Sequence, residues 1–355
     1  MQSDASAFWA AGRFAIEGHA AQVYDKAAND ALLAATFGKG NFHPLPYPYP
    51  PQSLLLIWPL GLLPYPMAWA AVVGCGLLIW FSVLRMVCRD NFSAAAATIA
   101  AGGATLSIIF GQNGFYTASL LIAGLLVLPR NKTLAGLLFG LLLFKPHLAI
   151  ALFVALVLWR EWRVIFVSLF TTASLAAIAT IAFGTQIWQA YLNGSTAFAG
   201  TVFAEKQQLI AYKMQSVFAM TVFKEDWKIG LALHVVAAIG ALIVMSRIRG
   251  GDQKIAGVVA ASALMSPYIF HYDLTMLTGA AALLLRNSQR PVESGIIAIA
   301  AALPAMTLHI HLPIALLSAM PLLGIAYLQS VRAENLASNQ TAASAGNPGL
   351  ATSGT

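Results

Sequence analysis

Apolar residues fall in long blocks separated by short polar gaps, and the blocks recur down nearly the whole chain. They run roughly over residues 66–88, 93–110, 114–128, 133–144, 147–159, 164–183, 229–246, 254–270, 274–285, 294–308 and 312–328. A shorter block, 53–63, is interrupted by Pro59 and closed by Pro64. Apolar runs of this kind predict an all-α fold, a polytopic transmembrane helical bundle.

The gaps are of two kinds. One kind is short and basic: Arg85/Arg89, Arg130/Lys132, Arg160/Arg163, Arg247/Arg249/Lys254, Arg286/Arg290 and the region of Arg332. Ten of the eleven arginines lie there, so these gaps carry the orientation signal. The other kind is longer, acidic or aromatic: residues 1–52, Gly111–Gly114, Lys145–His147, 184–228, Ser266–Asp273 and His309–His311. The two kinds alternate strictly. By the positive-inside rule the basic gaps are cytoplasmic and the others external. Three units follow: an external amphipathic and proline-rich segment, 1–52; a multi-span membrane domain, 53–330, with an external loop at 184–228; and a disordered cytoplasmic tail, 331–355, rich in Ala, Ser, Asn and Gly.

Alternation decides one ambiguous stretch. Residues 133–159 could form one helix of about 40 Å. Basic gaps flank both of its ends, however, and Pro146 interrupts it. Two short helices meeting at Phe144-Lys145-Pro146-His147 are therefore expected, each too short to cross a bilayer alone.

Composition fits this picture and excludes others. Apolar residues make up 59% of the 355 and charged ones 9%, with mean hydropathy +0.74, which excludes a soluble globular domain. Residues 1–30 lack the apolar core of a signal peptide. The net charge of +7 sits in the short gaps, so it answers to orientation and lipid headgroups rather than to nucleic acid. Cys75 and Cys88 lie too far apart on one predicted helix, about 20 Å, for a disulfide.

Candidate chemistry concentrates in the external gaps. The opening carries Asp4, Phe8, Trp9, Arg13, Glu17, His19, Tyr24 and Asp25, with aromatics spaced for an interfacial amphipathic helix. A stiff run, His43 to Pro51, links it to the membrane. Gln112 and Asn113 occupy a tight turn; Tyr268, His271, Tyr272 and Asp273 form another polar group. Each has a bland alternative. Asp4 could cap a helix starting at Ala5, Asp25 one over 26–36, and Asp273 the next span. His309 and His311 are two imidazoles without a third ligand, a weak metal signal. Lys145 stands apart, because a lysine between apolar stretches costs about 2.5–3.5 kcal/mol at the bilayer centre and needs an anionic partner, or a wet interface reached by snorkelling. With no acidic residue near it in sequence, a ligand phosphate is the expected partner.

Together these residues resemble glycosyltransferase family 87, polytopic enzymes of the GT-C fold that use polyprenyl-phosphate sugars. The resembling pieces are Asp4 with Phe8-Trp9-Ala10-Ala11-Gly12, Glu17-Gly18, Val23-Tyr24-Asp25, Tyr49-Pro50-Pro51, Pro59 and Leu63-Pro64. Further along come Gly111-Gln112-Asn113, Lys145-Pro146, Trp159 to Arg163, and Ser266-Pro267 with Tyr272-Asp273. The resemblance implies that Asp4, by position, is the catalytic base removing the acceptor hydroxyl's proton, with inversion at the sugar. It implies Lys145 at the departing phosphate, and Tyr24, Asp25, Gln112, Asn113, His271, Tyr272 and Asp273 as substrate-binding residues. The implied partners are a polyprenyl-phosphate sugar, mannose-like, a glycan or glycolipid acceptor, and membrane lipid, but no nucleic acid. No cofactor is required, although a divalent cation fits the scheme, and the implied location is the outer face of a bacterial inner membrane. The family has a span before the loop carrying the acidic residue, whereas Met1 lies three residues before Asp4, as an incomplete gene model would have it. Two other classes compete: a transporter or flippase of a lipid-linked glycan, and a non-catalytic envelope-assembly subunit.

Overall fold

The computed structural model describes residues 2–39, 45–100, 102–204, 213–218, 227–308 and 312–345. Among these the architecture is helical, and extended pairing is limited to one antiparallel bridge between Met214 and Phe270. Helices α4 (Tyr65–Val87), α10 (Trp162–Phe183), α12 (Trp227–Arg247) and α16 (Ile314–Ala345) are long and apolar enough to cross a membrane. Large apolar side chains point outward from α10 and α12; Ile181 is 85% exposed and Val236 69%, apolar surface of the kind lipid covers.

Contacts between distant gaps sort the molecule into two ends. At one end the basic gaps meet. Arg286 donates to the Val87 carbonyl and pairs with Asp252 at 3.0 Å. Lys254 lies over the Trp159 ring, Arg332 pairs with Glu293 at 2.6 Å, and the Arg249 amide donates to Ser330. At the other end the acidic and aromatic gaps gather around Asp4, Gln112, Lys145, Lys213 and Asp273. The alternation in sequence is thus an alternation in space.

The 132–161 stretch is a hairpin. Helix α8 (Lys132–Leu142) and helix α9 (Ile150–Leu158) are separated by a break and a short 3-10 turn, Pro146–Ala149. Lys132 pairs with Glu161 at 2.8 Å and Arg163 donates to Thr133, so both outer ends sit together at the basic end. The arms are about 14–17 Å long, which puts Lys145 inside the bilayer thickness. Helix α13 (Gly251–Met265) rises about 22 Å from the same end and delivers the Ser266–Asp273 turn to a similar height.

Three expectations change. Helix α1 (Ala5–Ile16) is not an interfacial helix: Phe8, Trp9, Ala10, Ala11 and Phe14 are all buried, covering most of its circumference. Gly12 permits this, because a Cβ there would stand 2.6 Å from the Gly61 nitrogen. The 184–228 segment is not simply a loop, since Gln186–Ala204 forms helix α11. Helix α16 continues through Ala345 into the segment expected to be disordered, where scattered Ala, Leu, Glu and Gln favour helix.

Candidate active site

Asp4 precedes α1 but does not cap it. Its side chain makes no bond to the helix amides, which removes the capping explanation. Instead both carboxylate oxygens accept from Lys213 Nζ at 2.9 Å, and Oδ2 also accepts from Gln112 Nε2 at 3.0 Å. Asp4 and Gln112 are each 8% exposed. Gln112 is aimed by Gly111, whose left-handed backbone, φ 62°, ends helix α6 (Gly103–Phe110) and turns the chain into α7 (Gly114–Val127).

Lys213 belongs to a short strap held across the Ser266–Asp273 turn. The Gln215 amide donates to Ile269 O at 2.7 Å, the His271 amide to Lys213 O at 2.9 Å, and Ser216 Oγ to Pro267 O at 2.7 Å. Its ammonium also lies 5.0 Å from the Phe110 ring centroid, on which His271 stacks.

A second buried ion pair lies beside the first. Lys145 Nζ donates to Asp273 Oδ1 at 2.6 Å; the two residues are 2% and 0% exposed. The expected partner of Lys145 was a ligand phosphate. In the fold it is a carboxylate 128 positions away, out of reach of any local reading. The other Asp273 oxygen accepts from the Phe270 amide at 3.3 Å, closing its own turn rather than capping the following helix, α14 (Thr275–Leu285). The Lys145 ammonium sits over the rings of Tyr272, 4.7 Å, and Tyr49, 5.7 Å.

Tyr272 links the two pairs. Its ring lies under the Lys145 ammonium, and the His271 ring, stacked on Phe110, meets it edge-on at 5.3 Å. His147, two residues past Lys145, packs at 4.1 Å on Tyr268 with both ring nitrogens buried and unbonded. Sequence reasoning placed Lys213 in the external 184–228 loop and His147 at the helix break but gave neither a role. Lys213 looked like one of several loop lysines, and only its contact with Asp4 distinguishes it.

Tyr24 and Asp25 stand apart from Asp4. Tyr24 donates to the Tyr49 carbonyl at 2.8 Å, and burial raises its phenol above the ordinary value, with Tyr47 and Tyr191 adding to the shift. Asp25 caps helix α2 (Lys26–Phe37), accepting from the amides of Ala27 and Ala28 at 2.8 and 3.2 Å. Both line a cavity of about 570 Å³ with Asn29, Tyr47 and Asn193.

Tyr47 also borders a second, largely apolar groove of about 490 Å³. Phe8, one turn after Asp4 on α1, lines it together with Tyr49 and Asn113, whose Oδ1 is buried without a hydrogen-bond partner. From there the groove follows α4 from Ala71 to Val83, about 18 Å toward the basic end, between α7 and α8. Its rim residues Leu56 and Ile79 are exposed. Among the described residues no group of three His, Cys, Asp or Glu side chains could hold a metal ion; His309 and His311 lie outside those residues.

Residues 47–267 match the family described as glycosyltransferase family 87, well over half of the chain. The chain belongs to glycosyltransferase family 87. It is therefore a glycosyltransferase, and its apolar helices make it a membrane protein. The matched stretch contains Tyr49, Gln112, Asn113, Lys145 and Lys213; Asp4 and His271–Asp273 lie beyond it and join the site through contacts. No curated protein and no solved structure matches the chain.

Proposed function

We propose that this glycosyltransferase moves a hexose, mannose-like, from a polyprenyl-phosphate donor to an acceptor hydroxyl, with inversion, on the outer face of a bacterial inner membrane. One observation carries the reading: an apolar groove with exposed rim residues reaches Phe8, one turn after the buried Asp4, and Asn113, the neighbour of Asp4's partner Gln112. A prenyl chain entering from the bilayer fits that groove, since its walls are largely apolar over about 18 Å. Its phosphate would then lie at the Asn113, Tyr49 and Lys145 end.

The chemistry follows from that placement. Asp4 accepts the proton of the acceptor hydroxyl while its oxygen bonds to the anomeric carbon. The bond from that carbon to the phosphate oxygen breaks, and its electron pair leaves with the prenyl phosphate. Lys145 offers charge and N–H donors where that negative charge grows. Attack from the side opposite the departing phosphate inverts the centre. Gln112 orients Asp4, and the His271 ring shields the site beside Lys213. The cavity lined by Tyr24, Asn29 and Asn193, one tyrosine away from the groove, is the reading's place for a glycan or glycolipid acceptor. The outward orientation rests on the basic gaps gathering at the opposite end.

The same groove and lysines would serve a transporter of lipid-linked glycan, but family membership favours transfer. The test is a donor panel: membranes holding the chain, verified as inserted, are offered radiolabelled prenyl-phosphate sugars and sugar nucleotides. Transfer from prenyl-phosphate hexoses alone, giving product of opposite anomeric configuration, supports the proposal. Transfer from sugar nucleotides alone, or with retained configuration, rejects it.

A further inference from the structure

Asp4 as it stands is poorly placed to act as a base. A carboxylate offers about four lone-pair directions, and three are taken, two by Lys213 and one by Gln112. The site is also balanced in charge: two lysines face two aspartates, leaving no net positive charge to receive an anionic donor. Something must release Asp4 and, at the same moment, supply a cation to the phosphate.

We propose that Lys213 does both by changing partner: it holds Asp4 in the empty site, and moves its ammonium onto the donor phosphate when the donor binds, which frees Asp4 to accept the acceptor's proton. The inference rests on the prenyl-phosphate reading given above and adds a catalytic residue to it. Three observations single out Lys213 over Lys145. The side chains of the Lys213–Asp4 pair are each 11% exposed, whereas those of the Lys145–Asp273 pair are 3% and 0%, so the first pair is the more easily opened. Asp273 is tied to the Phe270 amide and Lys145 is boxed by Tyr49 and Tyr272, which fixes both. The Lys213 backbone is pinned to the Ile269–His271 segment, so the exchange needs rotamer changes of its flexible four-carbon stem and no movement of the strap.

Competition for one ammonium makes a prediction that a merely structural ion pair does not. If Asp4 and phosphate compete for Lys213, removing the Asp4 charge should strengthen phosphate binding although it destroys the base. Binding of farnesyl phosphate, with farnesol as the uncharged control, is measured on the purified full chain for wild type, Asp4→Asn, Lys213→Met and the double variant. The double variant removes both charges and leaves neither buried alone, so it keeps the comparison sound if a single variant is unstable. The expected result is farnesyl phosphate binding about tenfold tighter in Asp4→Asn, an ordinary size for coupling between sites. Weaker binding is expected in Lys213→Met, with no gain from Asp4→Asn once Lys213 is absent. Unchanged or weaker binding in Asp4→Asn, with wild type binding farnesyl phosphate well, would overturn the exchange and leave the donor reading standing. Failure of wild type and every variant to prefer farnesyl phosphate over farnesol would overturn the donor reading, and the exchange with it.

Discussion

Replacing Asp273 by asparagine would leave the Lys145 ammonium buried without a counter-charge. The structure sets the size of the effect. At 2.6 Å and an effective dielectric of about 20, the gross attraction is about 6 kcal/mol. Desolvation of both ions offsets much of that, but loss of one partner from a buried pair costs about 3–5 kcal/mol, because the remaining charge has no water to turn to. Asp273→Asn should therefore lower the melting temperature in detergent, or abolish accumulation of folded protein. The double change Lys145→Met with Asp273→Leu removes both charges and replaces them with apolar groups of similar volume, so it should regain wild-type stability. If Lys145 serves the phosphate, the stable double variant should still fail in transfer, with kcat down about a hundredfold or more. Thermal unfolding followed by tryptophan fluorescence, paired with the transfer assay, reads both quantities. An Asp273→Asn variant as stable as wild type would refute the burial argument. A double variant that transfers at the wild-type rate would refute a phosphate role for Lys145.

Two further outcomes are expected. Asp25→Ala should cost about 1 kcal/mol through loss of the α2 cap, whereas Asp25→Ser should retain most of it, read by thermal unfolding. Gly12→Val should destabilise by at least about 1–3 kcal/mol and depress transfer, because its side chain meets the Gly61 backbone and displaces the helix that carries Asp4.

Much of the architecture was legible because charge placement in a membrane chain follows few rules. The alternation of basic and aromatic gaps forecast which gaps meet, and it forced the 132–161 stretch into a hairpin that Lys132, Glu161 and Arg163 now close. The need of Lys145 for an anion was also legible, since burial of an ammonium demands one. Its identity was not: Asp273 and Lys145 are brought together by two arms rising from the basic end, and nothing local encodes their pairing. Lys213 was hidden for the same reason, as a loop lysine acquires meaning only from the carboxylate it meets. Helix α1 was misread because aromatic spacing looks alike on a lipid surface and in a core. Its small residues, Ala10, Ala11 and Gly12, were the overlooked sign that another backbone packs against it. Asp25 both caps α2 and lines the cavity beside Tyr24, and only the fold shows the two together.

The central claim is that Asp4 is the base of a prenyl-phosphate-dependent transfer, and one comparison reaches it directly. Initial rates of sugar transfer are measured at saturating donor for wild type and Asp4→Asn, with insertion and amounts of folded protein matched. The account predicts a loss of about a hundredfold to ten-thousandfold in Asp4→Asn, the usual worth of a positioned general base. Transfer by Asp4→Asn at a rate near that of wild type would contradict it and move the base elsewhere.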